Sequence, residues 1–375
     1  MGLPLIHEDW TFLLWAALML LATLGFWADR TKIGANISGV AIILMAAMAL
    51  SNLGVLPKSA KSYDVIWAYL VPLAIPLLLL KADLRRVFTE TKGMLLAFMF
   101  GAVGTSIGAV LGYYILPLGD QADKLAGVFS ATYIGGSMNM AAVTQAVELD
   151  PSIVTASVAA DNVIGVLYLA FLALVPAITL FRRWFKYTDT NDGPVINQVE
   201  DKVTIDLRHI GLTLGLSFLI CAAGKALAST FGISGYSIMF ITAITILIAN
   251  IFPRQLKALQ GDYEMGLFCM YLFFAAIGIS ADLGAMLDKA LIIAVYALLI
   301  IVCHAVVIFG AGKLFKLDLM DIVIASNACA SGPASAAALA AGKGRRDLVV
   351  PAVLLGVFGY AVANFVGIGL TAILA

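Results

Sequence analysis

Apolar residues run along this chain in twelve blocks. They lie at about 10–28, 33–53, 64–80, 93–116, 124–147, 151–181, 206–230, 235–252, 264–280, 290–314, 321–342 and 348–374. Most reach the roughly 20 residues with which an α-helix crosses a bilayer. Polar residues keep to short turns and to one longer stretch, 182–204, which reads as a linker. The pattern also recurs. KADL at 81–84 returns as SADL at 280–283, and IGGSMNMAA at 134–142 is matched by ASGPASAAA at 330–338. Each small-residue run interrupts an apolar block at about the same distance beyond its ADL. The pattern predicts an all-α polytopic membrane protein, duplicated internally, with two glycine-broken segments at corresponding places. That combination points to the binding site of a secondary transporter.

Charge decides how the blocks are threaded. If all twelve cross, Arg182, Arg183 and Lys186 land opposite Lys81, Arg85, Arg86 and Lys92, against the positive-inside tendency. If 124–147 and 321–342 each enter and leave on one side, 18 of the 23 Lys and Arg face the cytoplasm. This threading gives ten spans plus two re-entrant hairpins. It also makes the halves inverted repeats: 1–181, a cytoplasmic linker 182–204, and 205–375. About 12 residues flank Gly135–Gly136 on each side; at 1.5 Å per residue each arm reaches roughly 18 Å, about halfway across. The alternative is a pair of unwound helices that cross fully. In both, the break lies near mid-membrane, where free backbone must be buried or line a cavity.

Composition agrees and excludes other classes. The 375 residues are 62% hydrophobic and 12% charged, with a mean hydropathy of +1.00. Net charge is zero, so nothing argues for a nucleic-acid partner. The partners implied are the lipid bilayer and a small-molecule solute. Cys221, Cys269, Cys303 and Cys329 lie in apolar blocks without a CxxC and read as packed thiols. No Walker, HExxH or nucleophile-base pattern occurs, so the chain is not expected to be an enzyme or to hold a cofactor. Transport is then driven by an ion gradient or runs downhill.

The chemistry sits at the breaks. Thr132, Gly135, Gly136, Ser137 and Asn139 mark the first. Glycine lets the backbone turn, helix N-termini there attract an anion, and loose carbonyls attract Na⁺. Asn327, Ser331, Gly332 and Ser335 mark the second, where Pro333 removes an amide donor. The spacing of Asn327, Ser331 and Ser335 puts them on one helix face. Asp161, beside Asn162, is the acidic residue deep within a span, which makes it a functional candidate by default. Asp161, Asn162 and a carbonyl near Gly135 form a candidate Na⁺ site. The matching helix of the second half carries Tyr360 and Asn364 instead of an acid. Gly101, Gly104, Gly108 and Gly112 read as a helix-packing face, and His304 as a packed or hydrogen-bonded histidine.

The stretch ATYIGGSMNMAAVTQA, the Asp161–Asn162 helix after it, and ASGPASAAALAAGKGRRDLVVPAVLLG resemble the YjcL-like membrane family, domain of unknown function 819. The resemblance covers nearly the whole chain. That family is distantly similar to bile-acid-type and glutamate sodium symporters and to cation:proton antiporters. The resemblance implies an elevator-type carrier, often a homodimer, with core and scaffold domains. The core is each break with the spans before and after it. The glycine-rich hairpin sequence of those symporters is matched only partly at Gly135–Gly136, and Ser331–Gly332–Pro333 departs further.

The expectation is therefore a multi-pass protein of the bacterial inner membrane. Its leading function is Na⁺-coupled symport of a small, carboxylate-bearing organic solute. The alternative is a cation:proton antiporter in which Asp161 exchanges H⁺ for the cation. A channel is the contrasting class, disfavoured by the scarcity of charges in the spans.

Overall fold

The computed structural model describes residues 4–31, 39–188, 206–233, 237–281 and 283–375. Residues 189–204 of the expected linker, Asp282 of SADL, Lys32 and Lys202 lie outside that set. Eighteen α-helices are described. The first half holds α1 Thr11–Asp29, α2 Gly39–Asn52, α3 Lys61–Val65, α4 Val71–Leu79, α5 Leu84–Glu90 and α6 Lys92–Ile115. It continues with α7 Ala122–Gly135, α8 Ser137–Val147, α9 Pro151–Leu174 and α10 Thr179–Trp184. The second half holds α11 Leu207–Thr230, α12 Ser237–Ile251, α13 Pro253–Lys257, α14 Asp262–Ser280 and α15 Leu283–Leu314. It ends with α16 Leu319–Ser331, α17 Pro333–Gly342 and α18 Val349–Leu374.

Among the described residues, eight helical stretches are long and apolar enough to cross a membrane: α1, α3 through α4, α6, α9, α11, α14, α15 and α18. Helices α2 and α12 are apolar but shorter. The chain is an all-α polytopic membrane protein.

The two broken segments are hairpins. Each break ends one helix and starts the next, and the outer ends of each pair meet. Lys124 Nζ donates to Glu148 O (3.1 Å) and Asp150 N to Gln121 Oε1 (3.0 Å), closing the base of α7–α8. At the base of α16–α17, Arg345 lies 3.8 Å from Asp318 and 2.7 Å from Asp347. The stretch after α10 joins this second base. Leu319 N donates to Lys186 O (2.8 Å), Thr188 N to Asp318 Oδ2 (2.9 Å) and Arg345 to Thr188 O (3.4 Å). The start of the linker and the 343–347 loop are thus on one side.

The helices sort into two bundles. In one, α6 lies along α15, α9 packs on α15, and α18 packs on α7 and α17. In the other, α14 is flanked by α2 and α4, with α1, α11 and α12 outside them. The expected glycine face of α6 is where α15 comes close. A Cβ on Gly104 would stand 2.9 Å from His304 Cα, and one on Gly108 2.8 Å from Ile300 Cα.

The two ADL sequences are held alike. Asn250, ending α12, donates to Ala82 O (3.0 Å) and to Ile246 O in its own helix (2.8 Å). Asn52, ending α2, donates to Ala281 O (3.1 Å) and to Met48 O (2.9 Å). Each asparagine closes the ADL of the other half.

One irregularity lies near the first hairpin. Residues Ile66–Leu70, between α3 and α4, form a π-helical turn. Pro72 has no amide to give to the carbonyls one turn back. Trp67 O instead accepts from Gln145 Nε2 of α8, and Ala68 O from Lys225 Nζ (2.9 Å).

Candidate functional site

The hairpin tips touch. A Cβ on Gly136 would lie 3.6 Å from the Cα and N of Gly332. Both glycines have nearly the same backbone: φ 81°, ψ 180° at Gly136 and φ 87°, ψ −175° at Gly332. That region is essentially closed to residues with a side chain. Helices α7 and α16 therefore end, and α8 and α17 begin, at one point inside the protein. Asn139 N donates to Gly136 O (3.1 Å) and Ala336 N to Gly332 O (3.3 Å), and Pro333 has no amide. The first-turn amides without an acceptor one turn back are therefore those of Ser137, Met138, Ala334 and Ser335. The dipoles of α8 and α17 bring their positive ends to this point.

Around this point the residues singled out in the sequence fall into three groups. The first faces α9. Ser137 Oγ lies 3.4 Å from Asp161 Oδ2. The Tyr133 hydroxyl is beside the same carboxylate without completing a well-formed hydrogen bond. Among the described residues no Lys, Arg or His pairs with Asp161. Asn162 Nδ2 donates to Val158 O of its own helix (2.8 Å). Gly135 packs toward α18, where an added Cβ would stand 2.7 Å from that of Ala363.

The second group faces α18 and the other bundle. Asn139 Nδ2 donates to Tyr360 O (3.0 Å) and Asn364 Oδ1 (2.8 Å). Asn364 Nδ2 donates to Thr242 Oγ1 (3.2 Å), and Thr242 to Ile238 O (2.8 Å). The chain ends on a carbonyl, so the orientation of both amides is fixed. Asn139 Oδ1 is left buried with no partner. Asn139, Tyr360 and Asn364 line a narrow cavity of about 20 Å³ with Met138 and Ala142 of α8, Ile75, Leu78 and Leu79 of α4, and Met270 of α14.

The third group is inside the second hairpin. Asn327 Nδ2 donates to Ser335 Oγ (3.0 Å) across the two arms, while Ser331 is exposed at the tip. The expected single face of Asn327, Ser331 and Ser335 does not form, because α16 stops at Ser331 and Ser335 returns on the opposite arm. Thr132 is also turned away: its hydroxyl donates to Val128 O (2.7 Å) and its carbonyl accepts from Gly136 N (2.7 Å).

Sequence reading missed a buried chain behind the tips. Thr105 donates to Tyr133 O (3.3 Å) and contacts His304 Nδ1 (3.0 Å). His304 Nε2 contacts Ser326 Oγ (2.9 Å), which meets Tyr168 OH (2.6 Å). The Tyr133 carbonyl, one of those freed by the break, is thereby occupied. Cys329 Sγ also donates to it (3.3 Å). A hydroxyl inside the glycine face of α6 was the available signal.

The family described as "Protein of unknown function (DUF819)" matches residues 16–375. The chain belongs to the DUF819 family. It is 35% identical over 382 residues to "Uncharacterized membrane protein YjcL" of Bacillus subtilis (strain 168), covering 97% of this chain and 96% of that protein. This DUF819 protein is an integral, multi-pass membrane protein, as expected from its sequence. The family resemblance rests on both glycine breaks and on the Asp161 helix, all of which lie within the matched residues.

Proposed function

We propose that this DUF819 protein is a sodium-coupled secondary transporter, a symporter of a small carboxylate-bearing solute, working by an elevator-type movement of one helix bundle against the other. The observation that carries this reading is the contact of the two hairpin tips at Gly136 and Gly332. Two broken helices that meet inside a membrane protein leave polar backbone there, which is tolerated where it is buried or lines a cavity, the arrangement of transporter binding sites. The crossed Asn52 and Asn250 contacts support an inverted repeat, with the α6–α9 and α15–α18 bundle as the moving core and the α14 bundle as the scaffold.

In this reading Asp161, with Ser137 and the Tyr133 hydroxyl, holds Na⁺. Asn162 Oδ1 and a carbonyl near Gly135 complete the ion site in this reading. The solute occupies the Asn139–Tyr360–Asn364 side. The second reading, a cation:proton antiporter, is favoured by one fact: among the described residues no cationic side chain neutralises Asp161, which suits a carboxyl that exchanges a proton for a cation.

Sodium affinity measured against pH separates the two, in wild type and in Asp161→Asn. The symporter predicts Na⁺-dependent solute binding that is lost in Asp161→Asn. Its Na⁺ affinity changes by no more than about threefold between pH 6 and 8, within the usual spread of such titrations. Steep proton competition without solute dependence establishes the antiporter instead. An unaffected variant removes Asp161 from the ion site.

A further inference from the structure

Asn139 Oδ1 marks a ligand that the surrounding residues do not supply. The residue is 3% exposed, and its Nδ2 is fully used on Tyr360 O and Asn364 Oδ1. Its Oδ1 is therefore an acceptor by necessity, buried without a partner among the described residues beside Gly135, and the residue itself lines the 20 Å³ cavity. A buried acceptor without a donor is costly, and the cavity has room for one small donor group. Among the described residues no Lys, Arg, His, Asp or Glu lines it. A lone ammonium there would be a buried unpaired charge, which is strongly unfavourable. The neutralising charge has to arrive with the ligand.

The place for that opposite charge is adjacent. Met138 belongs to the first turn of α8, where its amide and that of Ser137 have no acceptor one turn back, while Asn139 N donates to Gly136 O (3.1 Å). Tyr360, on the cavity wall, also reaches the second tip: its hydroxyl lies 3.5 Å from where a Cβ on Gly332 would be. An anion at the α8 and α17 N-termini and a donor on Asn139 Oδ1 are therefore neighbours. The rest of the wall is Met138, Met270, Ile75, Leu78 and Leu79, an apolar lining in which the two methionines adapt to different shapes.

We propose that the solute is a small zwitterion with an apolar side chain, of the α-amino acid class, and not a net anion. Its carboxylate lies on the α8 and α17 N-termini, its ammonium on Asn139 Oδ1, and its side chain between Met138 and Met270. The wall from α4 and α14 has to retreat to admit the full molecule. The inference rests on the transporter reading above and sharpens its solute.

The test is thermal stability of the purified full-length protein, with and without Na⁺, since a ligand of the folded state raises it. The probes are L-leucine, L-methionine, 4-methylpentanoate (leucine without its amine) and 3-methylbutylamine (leucine without its carboxylate). The amino acids are expected to bind at least tenfold more tightly than either half-molecule. Asn364→Asp still accepts from Asn139 Nδ2 and adds a negative charge to the wall, with the Thr242 hydroxyl turning from Ile238 O to donate to it. It should shift preference at least tenfold from leucine toward 3-methylbutylamine. Binding of 4-methylpentanoate within threefold of leucine overturns the zwitterion and leaves Na⁺-coupled transport standing. Leucine binding that ignores Na⁺ overturns the coupling and leaves the solute class standing. No stabilisation by either amino acid, or an Asn364→Asp variant with unchanged preference, overturns the proposal.

Discussion

Gly135 and Gly136 are adjacent and small for different reasons, and the difference is measurable. Gly136 has room: an added Cβ meets its nearest atoms at 3.6 Å, an ordinary contact. Its φ of 81° with ψ of 180° is what excludes a side chain. Gly135 ends helix α7, and an added Cβ would stand 2.4 Å from Asn139 Oδ1 and 2.7 Å from Ala363 Cβ. Gly136→Ala is thus a backbone-strain variant and Gly135→Ala a steric one. We predict that Gly136→Ala and Gly332→Ala each lower stability by about 1–3 kcal/mol, the usual cost of a disallowed backbone region. Gly135→Ala should instead disturb Asn139 and reduce solute binding more than stability. Thermal melts and binding on the same preparations check both, and equal behaviour of Gly135→Ala and Gly136→Ala would contradict the assignment.

At the scale of elements, the hairpins were legible because helix length and charge bias both opposed a full crossing. The apolar blocks at 124–147 and 321–342 are centred on glycine, and each arm is too short to span. The π-helical turn at Ile66–Leu70 was not legible, because its cause is a missing donor at Pro72 that only matters once Gln145 and Lys225 are near. The face shared by Asn327 and Ser335 was misread, because an i, i+8 spacing presumes an unbroken helix. The base of the second hairpin carries a prediction of its own. Arg345 donates to Asp347 and holds its carboxyl below the ordinary carboxylate value. A depressed folded-state value means the contribution is present above the unfolded value, near 3.9, and is lost as pH falls through the folded one. The pair is partly exposed, with Asp347 at 42%, so the effect is no more than about 1 kcal/mol. Amide exchange in 343–348 should therefore be flat from pH 7 to about 4, after correction for intrinsic exchange, and protection should fall below that. Asp347→Asn should show the reduced protection at all pH values.

At the scale of the whole molecule, the sequence carried the likeness of KADL and SADL. The contacts it did not spell out were those between halves. Asn52 and Asn250 stand 198 positions apart, near the offset of the ADL pair, but their role appears only when each meets the other half's loop. The boundary between bundles is mainly apolar, with Ile75, Leu78, Leu79 and Met270 facing α8 and α18. Among the described residues, polar ties that cross it include Gln145 to Trp67 O, Asn364 to Thr242 and Tyr263 with Tyr360. Such a surface resists sliding weakly, as the elevator proposal requires. Next to the first tie, Asp64 and Glu148 face each other across an open cavity of about 650 Å³, one on the α14 bundle side and one at the hairpin base. Both are exposed, and the four natural cysteines are buried or half-buried. We predict that Asp64→Cys with Glu148→Cys, bridged through two disulfides by a bis-methanethiosulfonate linker, stops solute uptake, and that a reductant restores it. Either single variant treated alike should transport normally. The bridge fixes the hairpin base to the opposite wall without touching Asp161, Asn139 or the tips, so Na⁺ binding should persist in the locked protein. Uptake that continues across an intact bridge would show that the hairpins do not travel past this wall, and would leave only local movements of the tips to carry the solute.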